Sequence, residues 1–450
     1  MTLNLLLGVT VVVLAVAVVA DGGAELVRNP RFAERGEAGL PAHWTSWTPE
    51  WKRAACTLRR VPSGLEATGE GHAVGGLVQN LAGVRGGQAY AIEAACAVRD
   101  LPSPTRALGV RVGWTAKGKP LHPAGMLVRG PAVGEGEATF GDVLVAPQEA
   151  DGARLSLEVK WPQGGAVVWK SVSVRPAEPP PARKVKLGTV YLRPKNSTPE
   201  RNLELWCEQI DAAGRLGLDA VCLGEAILAV GTGASLEQRA HRIPGPITER
   251  LGAAARKSRL YVVAGLTERA GDRVYNTAVL LDRTGKLAGT YRKVHLPREE
   301  WKQGVTPGSE YPVFRTDFGT VAIQICYDWF FPEAAEAFAL HGAEVLFAPT
   351  WGNTLPDKGG CVDGETTFRV RARDNGLFIV PSVYDGQSMV IDPMGRTLVA
   401  NGGKQGLFWC EVDLSVRERL AWVGHWRSIG PRDRMPETYQ PLLRPDRTTP

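Results

Sequence analysis

The sequence predicts two folded domains of different class, an all-β sandwich over residues 24–175 and a layered α/β (α+β) domain over residues 185–415. Three observations carry this. Residues 24–175 contain short apolar runs separated by Gly/Pro/Asp turns, with no stretch of helical period. Residues 176–184, from Pro176 to Lys184, read as a linker, because the consecutive Pro179, Pro180 and Pro181 favour a stiff extended chain and cannot extend a central strand or helix. Beyond Val185 strands and helices alternate and helices stop at glycine, the pattern of helix layers packed on sheets. A chain of 450 residues has room for two or three such domains.

Taken in order, residues 1–20 come first. Leu5 to Ala20 is apolar except for Thr10, ends at Asp21-Gly22-Gly23, and carries small residues Val18 and Ala20 where an export signal is cleaved. Met1 to Asn4 contains no Lys or Arg, and the run is slightly short of the roughly 20 residues of a membrane span. A cleaved signal peptide, an uncleaved membrane anchor and a buried hydrophobic element are the three readings. The first two make the body extracytoplasmic: secreted, periplasmic or membrane-anchored. In residues 24–175, Ala89 to Ala97, Leu108 to Trp114, Asp142 to Val145 and Leu155 to Val159 read as strands of a sandwich. Leu26-Val27-Arg28-Asn29-Pro30-Arg31-Phe32 and Leu40-Pro41-Ala42-His43-Trp44 resemble the start of carbohydrate-binding-module-like (galactose-binding-like) jelly rolls. That resemblance implies a glycan ligand, with Trp44, Trp47 and Trp51 as a stacking platform. The simpler reading of Trp44 is a plug in the sandwich core.

In the second domain, Val185 to Leu192 reads as a strand and Glu200 to Leu216 as a helix, with Leu203, Trp206, Ile210 and Ala213 at helical spacing. Thr198 or Pro199 marks its start and Gly217 its end. Strands follow at Ala220 to Leu223, Leu260 to Leu266, Thr277 to Asp282, Leu287 to Lys293, Val321 to Ile325, Val345 to Ala348 and Leu377 to Ser382. Helices are read at Ile247 to Ser258, Pro332 to His341 and Thr366 to Asn375. The extension 416–450, rich in Arg, Pro and Trp, reads as irregular.

Composition narrows function by exclusion. A formal net charge of +6 is small for this length, and no Lys/Arg cluster is interleaved with aromatics, so nucleic acid is not an expected partner. The seven cysteines show neither a C-x-x-C pair nor metal-ligand spacing. Their odd number leaves at least one thiol outside any disulfide; after export a Cys56–Cys96 bridge in the first domain is one pairing that the sequence does not establish.

Three residues stand at the ends of apolar strands, where side chains are displayed. Cys326 follows Val321-Ala322-Ile323-Gln324-Ile325, Lys293 ends Tyr291-Arg292-Lys293, and Glu225 follows Val221-Cys222-Leu223-Gly224. Each alone has an ordinary reading: a core thiol, a solvated strand end, a turn carboxylate. Together they match a chemical need. An amide carbonyl is a poor electrophile, and a thiol of pKa about 8.5 is mostly protonated near neutrality. Hydrolysis therefore needs a base for the thiol proton, a cation for the developing oxyanion and the sulfur as attacker.

The segments Tyr291-Arg292-Lys293-Val294-His295-Leu296 and Ile325-Cys326-Tyr327-Asp328-Trp329-Phe330-Phe331-Pro332-Glu333 resemble the signatures of the nitrilase (carbon–nitrogen hydrolase) superfamily. Gly342 to Thr350, Arg371 to Asn375 and Ser388 to Gly395 fit as well. The resemblance covers about half the chain and implies a four-layer α-β-β-α sandwich, with Glu225 as general base, Cys326 as nucleophile and Lys293 as oxyanion stabiliser assisted by the backbone N–H of Tyr327. It also implies a supporting glutamate before the Pro307-Gly308 turn, Glu300 in preference to Glu299. A small-molecule linear amide or N-carbamoyl substrate, an acyl-thioester intermediate, no metal or organic cofactor, and a homodimer follow from it.

Departures from the family pattern bear on the substrate. Val185 to Leu192 lacks the Gln common there, Glu225 follows Leu-Gly rather than Phe-Pro, and Val383 to Gln387 is short where relatives carry a longer loop. Trp329 and Phe330 stand where D-amino-acid carbamoylases place arginines, which argues against a carboxylate clamp from this segment. Two other functions use the same chain: an N-acyltransferase in which an amine replaces water on the thioester, and a non-catalytic glycan- or envelope-binding protein with a degenerate hydrolase domain. His295 belongs to the Lys293 motif and His341 ends a helix, so neither is expected as a base for Cys326.

Overall fold

The computed structural model describes residues 23–352 and 364–443. The apolar segment 1–20, Cys361 and residues 444–450 lie outside the described residues. No helix among those described is long and apolar enough to cross a membrane. The chain divides into two compact units, one of residues up to Pro181 together with those from Arg419 onwards, the other of Ala182–Glu418.

In the first unit two six-stranded sheets form a sandwich. One contains Thr45–Trp47, Val74–Leu81, Gly152–Lys160 and Leu108–Ala116, the other Gly64–Thr68, Ala166–Ala177, Ala89–Arg99 and Glu137–Val145. Period-two alternation makes the core: along Gly152–Lys160, Ala153, Leu155, Leu157 and Val159 are buried and their neighbours are not. Leu65, Ile92, Val110 and Trp169 join them in one apolar cluster. Trp44 is buried there, its ring 5.4 Å from Phe32 and its indole N–H donating to the Asn29 carbonyl at 3.3 Å. The three-tryptophan platform is therefore corrected: Trp47 and Trp51 are exposed, and Trp44 is a core plug because its apolar area is best hidden between the sheets. Cys56 and Cys96 are both free thiols and do not bridge; the Cys96 thiol faces the Ala138 carbonyl at 3.7 Å.

Ala166–Ala177 runs through Pro176, and the next strand starts at Lys184, so the connector is shorter than residues 176–184. The C-terminal extension is not irregular throughout. Trp426–Asp433 is helical and packs with the first unit, tied by Lys160–Asp433 and Arg106–Glu437 ion pairs and by Arg432, which donates to the Leu108 and Gly130 carbonyls. An Arg-rich helix carries a weak apolar stripe, here little more than buried Ile429, and is stabilised by partners distant in sequence.

The second unit has two sheets. A seven-stranded sheet has the order Leu287–Arg292, Arg273–Leu281, Tyr261–Ala270, Ala220–Cys222, Lys184–Tyr191, Gly406–Asp413, with Ala240–His241 beside Tyr261–Ala270. A six-stranded sheet has the order Val313–Arg315, Thr320–Ile323, Val345–Gly352, Phe378–Asp385, Met389–Ile391, Thr397–Ala400. Alternation on the first sheet sorts its two faces. Ala220, Cys222, Val263, Ala278 and Leu280 join the cluster of the second sheet, while Val221, Leu223, Val262, Val279 and Leu281 join the helices Pro199–Arg215 and Pro246–Ser258. On the other side, Phe338 and Phe368 bring helices Pro332–Leu340 and Gly364–Asn375 onto the second sheet. The layers are thus α-β-β-α. Cross-sheet hydrogen bonds fix their register: Thr189 donates to the Pro381 carbonyl and Ser382 to that of Val190, both at 2.6 Å.

Local chemistry explains the helix ends. Thr198 caps Pro199–Arg215 by accepting from the Arg201 N–H at 3.2 Å, and Pro199 occupies the first turn, where its missing N–H costs nothing. Trp206, Ile210 and Ala213 face inward, and each large buried side chain there contributes about 1.5–3 kcal/mol. Strands at Val313–Arg315, Met389–Ile391, Thr397–Ala400 and Gly406–Asp413, and the helix Arg298–Lys302, were not legible as periodic runs, being short or edge elements.

Candidate active site

Glu225 lies just beyond Ala220–Cys222 and Cys326 just beyond Thr320–Ile323, each past the carboxyl end of a strand with parallel neighbours, where open α/β sheets present functional groups. Lys293 follows Leu287–Arg292, its N–H donating to the Asn276 carbonyl at 2.8 Å. Glu300 sits on Arg298–Lys302. Side chains from both sheets of this unit and one short helix therefore converge.

The Lys293 ammonium is buried and donates to Glu225 Oε1 at 3.0 Å and to Glu300 Oε1 at 2.7 Å. Glu299, the alternative supporting glutamate, points to solvent beside Arg298. Asn276, which the sequence reading missed, donates from Nδ2 to Glu225 Oε1 at 2.7 Å and to Glu300 Oε1 at 3.1 Å. An Asn inside the strand Arg273–Leu281, at the point where the chain leaves the apolar run Thr277 to Leu281, was its one available signal. Burial alone would pull the Lys293 ammonium down, but Glu225, Cys326 and Glu300 together raise it above its ordinary value. Burial raises the Glu300 carboxyl, with Lys293 pulling back and Glu225 pushing it further.

Cys326 is partly exposed and has φ +41°, a left-handed conformation that L residues adopt at a cost of order 1–3 kcal/mol. It opens the tight turn Cys326–Phe330, so the thiol stands clear of the strand as a nucleophile at an elbow does. Burial is the largest influence on the thiol and pushes it up to about 12; Glu225 adds to the rise, while Lys293 and the Trp351 backbone oppose it. A thiol held that high keeps its proton near neutral pH unless a base takes it. Cys56 and Cys410 are pushed up to about 11 by burial alone, whereas Cys326 also feels Lys293 and Glu225.

Asp328 holds that turn. Its buried carboxylate accepts from Tyr291 OH at 2.7 Å, Ile325 N–H at 3.0 Å and His295 N–H at 3.0 Å, with His295 Nδ1 at 2.9 Å. His295 stacks on Phe331 with ring centroids 3.8 Å apart, and His341 Nδ1 meets the Tyr311 carbonyl, so both histidines have structural partners. Tyr327 follows Cys326 with its ring 4.9 Å from Phe330 and 5.4 Å from Phe331.

The Leu-Gly before Glu225 has a structural reason. A Cβ at Gly224 would lie 2.3 Å from the hydroxyl of Tyr384, a fully buried side chain that donates to the Glu225 carbonyl at 2.7 Å. Gly224 and Tyr384 form one packing unit that seats the Glu225 backbone. Gly224→Ala is expected to destabilise the second unit by about 1–3 kcal/mol through overpacking. Urea denaturation checks this, and an unchanged midpoint would refute it.

Residues 186–421 match the carbon-nitrogen hydrolase family model. A nitrilase of Pyrococcus abyssi is 33% identical over 225 residues, which cover 48% of this chain and 81% of that protein. An N-carbamoylputrescine amidase of Solanum lycopersicum is 30% identical over 240 residues, covering 47% and 78%. An omega-amidase NIT2 of Xenopus tropicalis is 27% identical over 242 residues, covering 49% and 87%. With this match across more than half its length, the chain belongs to the carbon-nitrogen hydrolase family, within the nitrilase superfamily, and is a hydrolase of carbon–nitrogen bonds.

Proposed function

We propose that the protein hydrolyses a non-peptide amide bond, in a linear amide or an N-carbamoyl compound, through a thioester on Cys326. The observation that carries this reading is the buried Lys293 ammonium shared by Glu225 and Glu300, with Lys293 and Glu225 both acting on the Cys326 thiol. Glu225 takes the thiol proton, and the sulfur electron pair forms a C–S bond with the carbonyl carbon. The carbonyl π pair moves onto oxygen, where Lys293 and the Tyr327 N–H stabilise it. On collapse the C–N bond breaks and the nitrogen leaves as ammonia or an amine, taking the proton from Glu225. Water then gives a proton to Glu225, attacks the thioester and releases the acid and the thiol. The aromatic Trp329-Phe330 stretch favours substrates without an α-carboxylate to be gripped there.

The test is ammonia release from linear amides, N-carbamoyl compounds and nitriles by the wild-type protein and Cys326→Ala. Loss of the nucleophile is expected to lower turnover by about 10⁴-fold or more. Equal release by both proteins would reject the reading, as would a wild-type protein with no release from any compound and a Cys326 inert to thiol-directed electrophiles.

A further inference from the structure

We infer that Asn276 is a positioning residue that occupies one oxygen of each site glutamate, Oε1, and so confines proton transfer to the other, Oε2. The inference rests on the reading of Cys326 and Glu225 given above.

The geometry is a ring of two donors and two acceptors. Lys293 Nζ and Asn276 Nδ2 each reach both Glu225 Oε1 and Glu300 Oε1, at 3.0, 2.7, 2.7 and 3.1 Å. An amide NH₂ has two hydrogens, and both are used. Each Oε1 thus accepts twice. Glu225 Oε2 and Glu300 Oε2 are buried and accept from no N–H or O–H among the described residues, while the Cys326 thiol lies within hydrogen-bonding reach of the Glu225 carboxylate. Leaving a buried carboxylate oxygen without a partner is unfavourable, by about 1–3 kcal/mol or more for a charged group, so its retention in both glutamates points to use by something that arrives.

A carboxylate turns easily about its last torsion, which is broad and two-fold. Lys293, on a flexible stem with three rotatable donors, does not by itself select one oxygen. The planar Asn276 amide does, because its two hydrogens diverge at a fixed angle and meet one oxygen of each glutamate. The proton then has one available destination on Glu225. The S–H bond of Cys326 breaks, an O–H bond forms at Glu225 Oε2, and the electron pair stays on sulfur. When Glu300 carries a proton, it carries it on Oε2. Ser at position 276 supplies one donor and satisfies one glutamate; Asp supplies none and adds a third carboxylate.

The test needs no substrate. The rate of Cys326 alkylation by iodoacetamide is measured against pH by peptide mass spectrometry, in full-length wild type, Asn276→Ala and Asn276→Ser. Loss of a donor that holds the Glu300 carboxyl down moves that group higher, in the direction in which the neighbouring Glu225 charge already pushes it, and so changes the charge beside the base that serves Cys326. The acid limb of alkylation in Asn276→Ala is therefore expected to move upward by roughly half a pH unit, with the rate at a given pH on that limb falling about threefold. Asn276→Ser is expected to lie between Ala and wild type, and serves if Ala does not fold. An alkylation profile in the folded variant that superimposes on wild type overturns the inference, whatever happens to melting temperature. This failure is distinct from that of the hydrolase reading, which Cys326→Ala decides by ammonia release.

Discussion

Lys293→Met is expected to abolish measurable turnover and to destabilise the second unit by about 3–5 kcal/mol. The side chain is buried with two carboxylates on its ammonium. Methionine keeps the volume and apolar stem but removes the charge, leaving Glu225 and Glu300 close together without the ammonium they share. Removing one member of a buried ionic group is costly because its partners stay desolvated. The loss should depend on pH with a definite sign. Burial already raises Glu300 above its ordinary value of 4.5, and Lys293 is what pulls it back, so the variant raises it further. A carboxyl raised in the folded state binds its proton more tightly folded than unfolded. Its stabilising contribution is full below the unfolded value and is lost as pH rises through the folded one. The difference between variant and wild type should therefore be smallest near pH 4.5 and widen above it. Urea midpoints across that range check the sign, and a difference that shrinks with rising pH would contradict it. In the wild type the raised Lys293 keeps its charge through the alkaline range, so its deprotonation should impose no fall in turnover below its ordinary 10.5.

Asp328→Ala should cost about 3–5 kcal/mol and lower kcat by more than tenfold with the thiol intact. The carboxylate accepts from Tyr291, Ile325 and His295, and truncation leaves the buried Tyr291 and Ile325 donors, and the half-buried His295, without their acceptor. The turn it secures holds Cys326 at φ +41°, a conformation that persists only while its surroundings over-determine it. Asp328→Asn retains the shape but offers a donor where donors already converge, so it should rescue packing only in part. Equal stability of Asp328→Ala and wild type would contradict this account.

What the sequence alone determined is local. Buried strands appear as apolar runs and helices as a 3.6-residue period, so the two domain classes and most elements of the second domain could be read in order. Glu225, Lys293 and Cys326 were visible because each interrupts the end of such a run with a residue type suited to amide chemistry. The tertiary structure decided everything that depends on which side chains meet. Asn276 reaches Glu225 across 51 positions of sequence and Tyr384 reaches the same residue across 159, and no local pattern encodes either distance. Glu299 and Glu300 differ by one residue, about 100° of rotation on a helix, so their roles are set by how Arg298–Lys302 lies against the sheet. The Arg-rich segment ending in Trp426–Asp433 has too few apolar positions to predict a helix, and it is stabilised by the Lys160–Asp433 ion pair and by Arg432 hydrogen bonds to carbonyls some 300 positions earlier. Periodicity records whether a position faces in or out; the partner it faces is chosen only when the layers close.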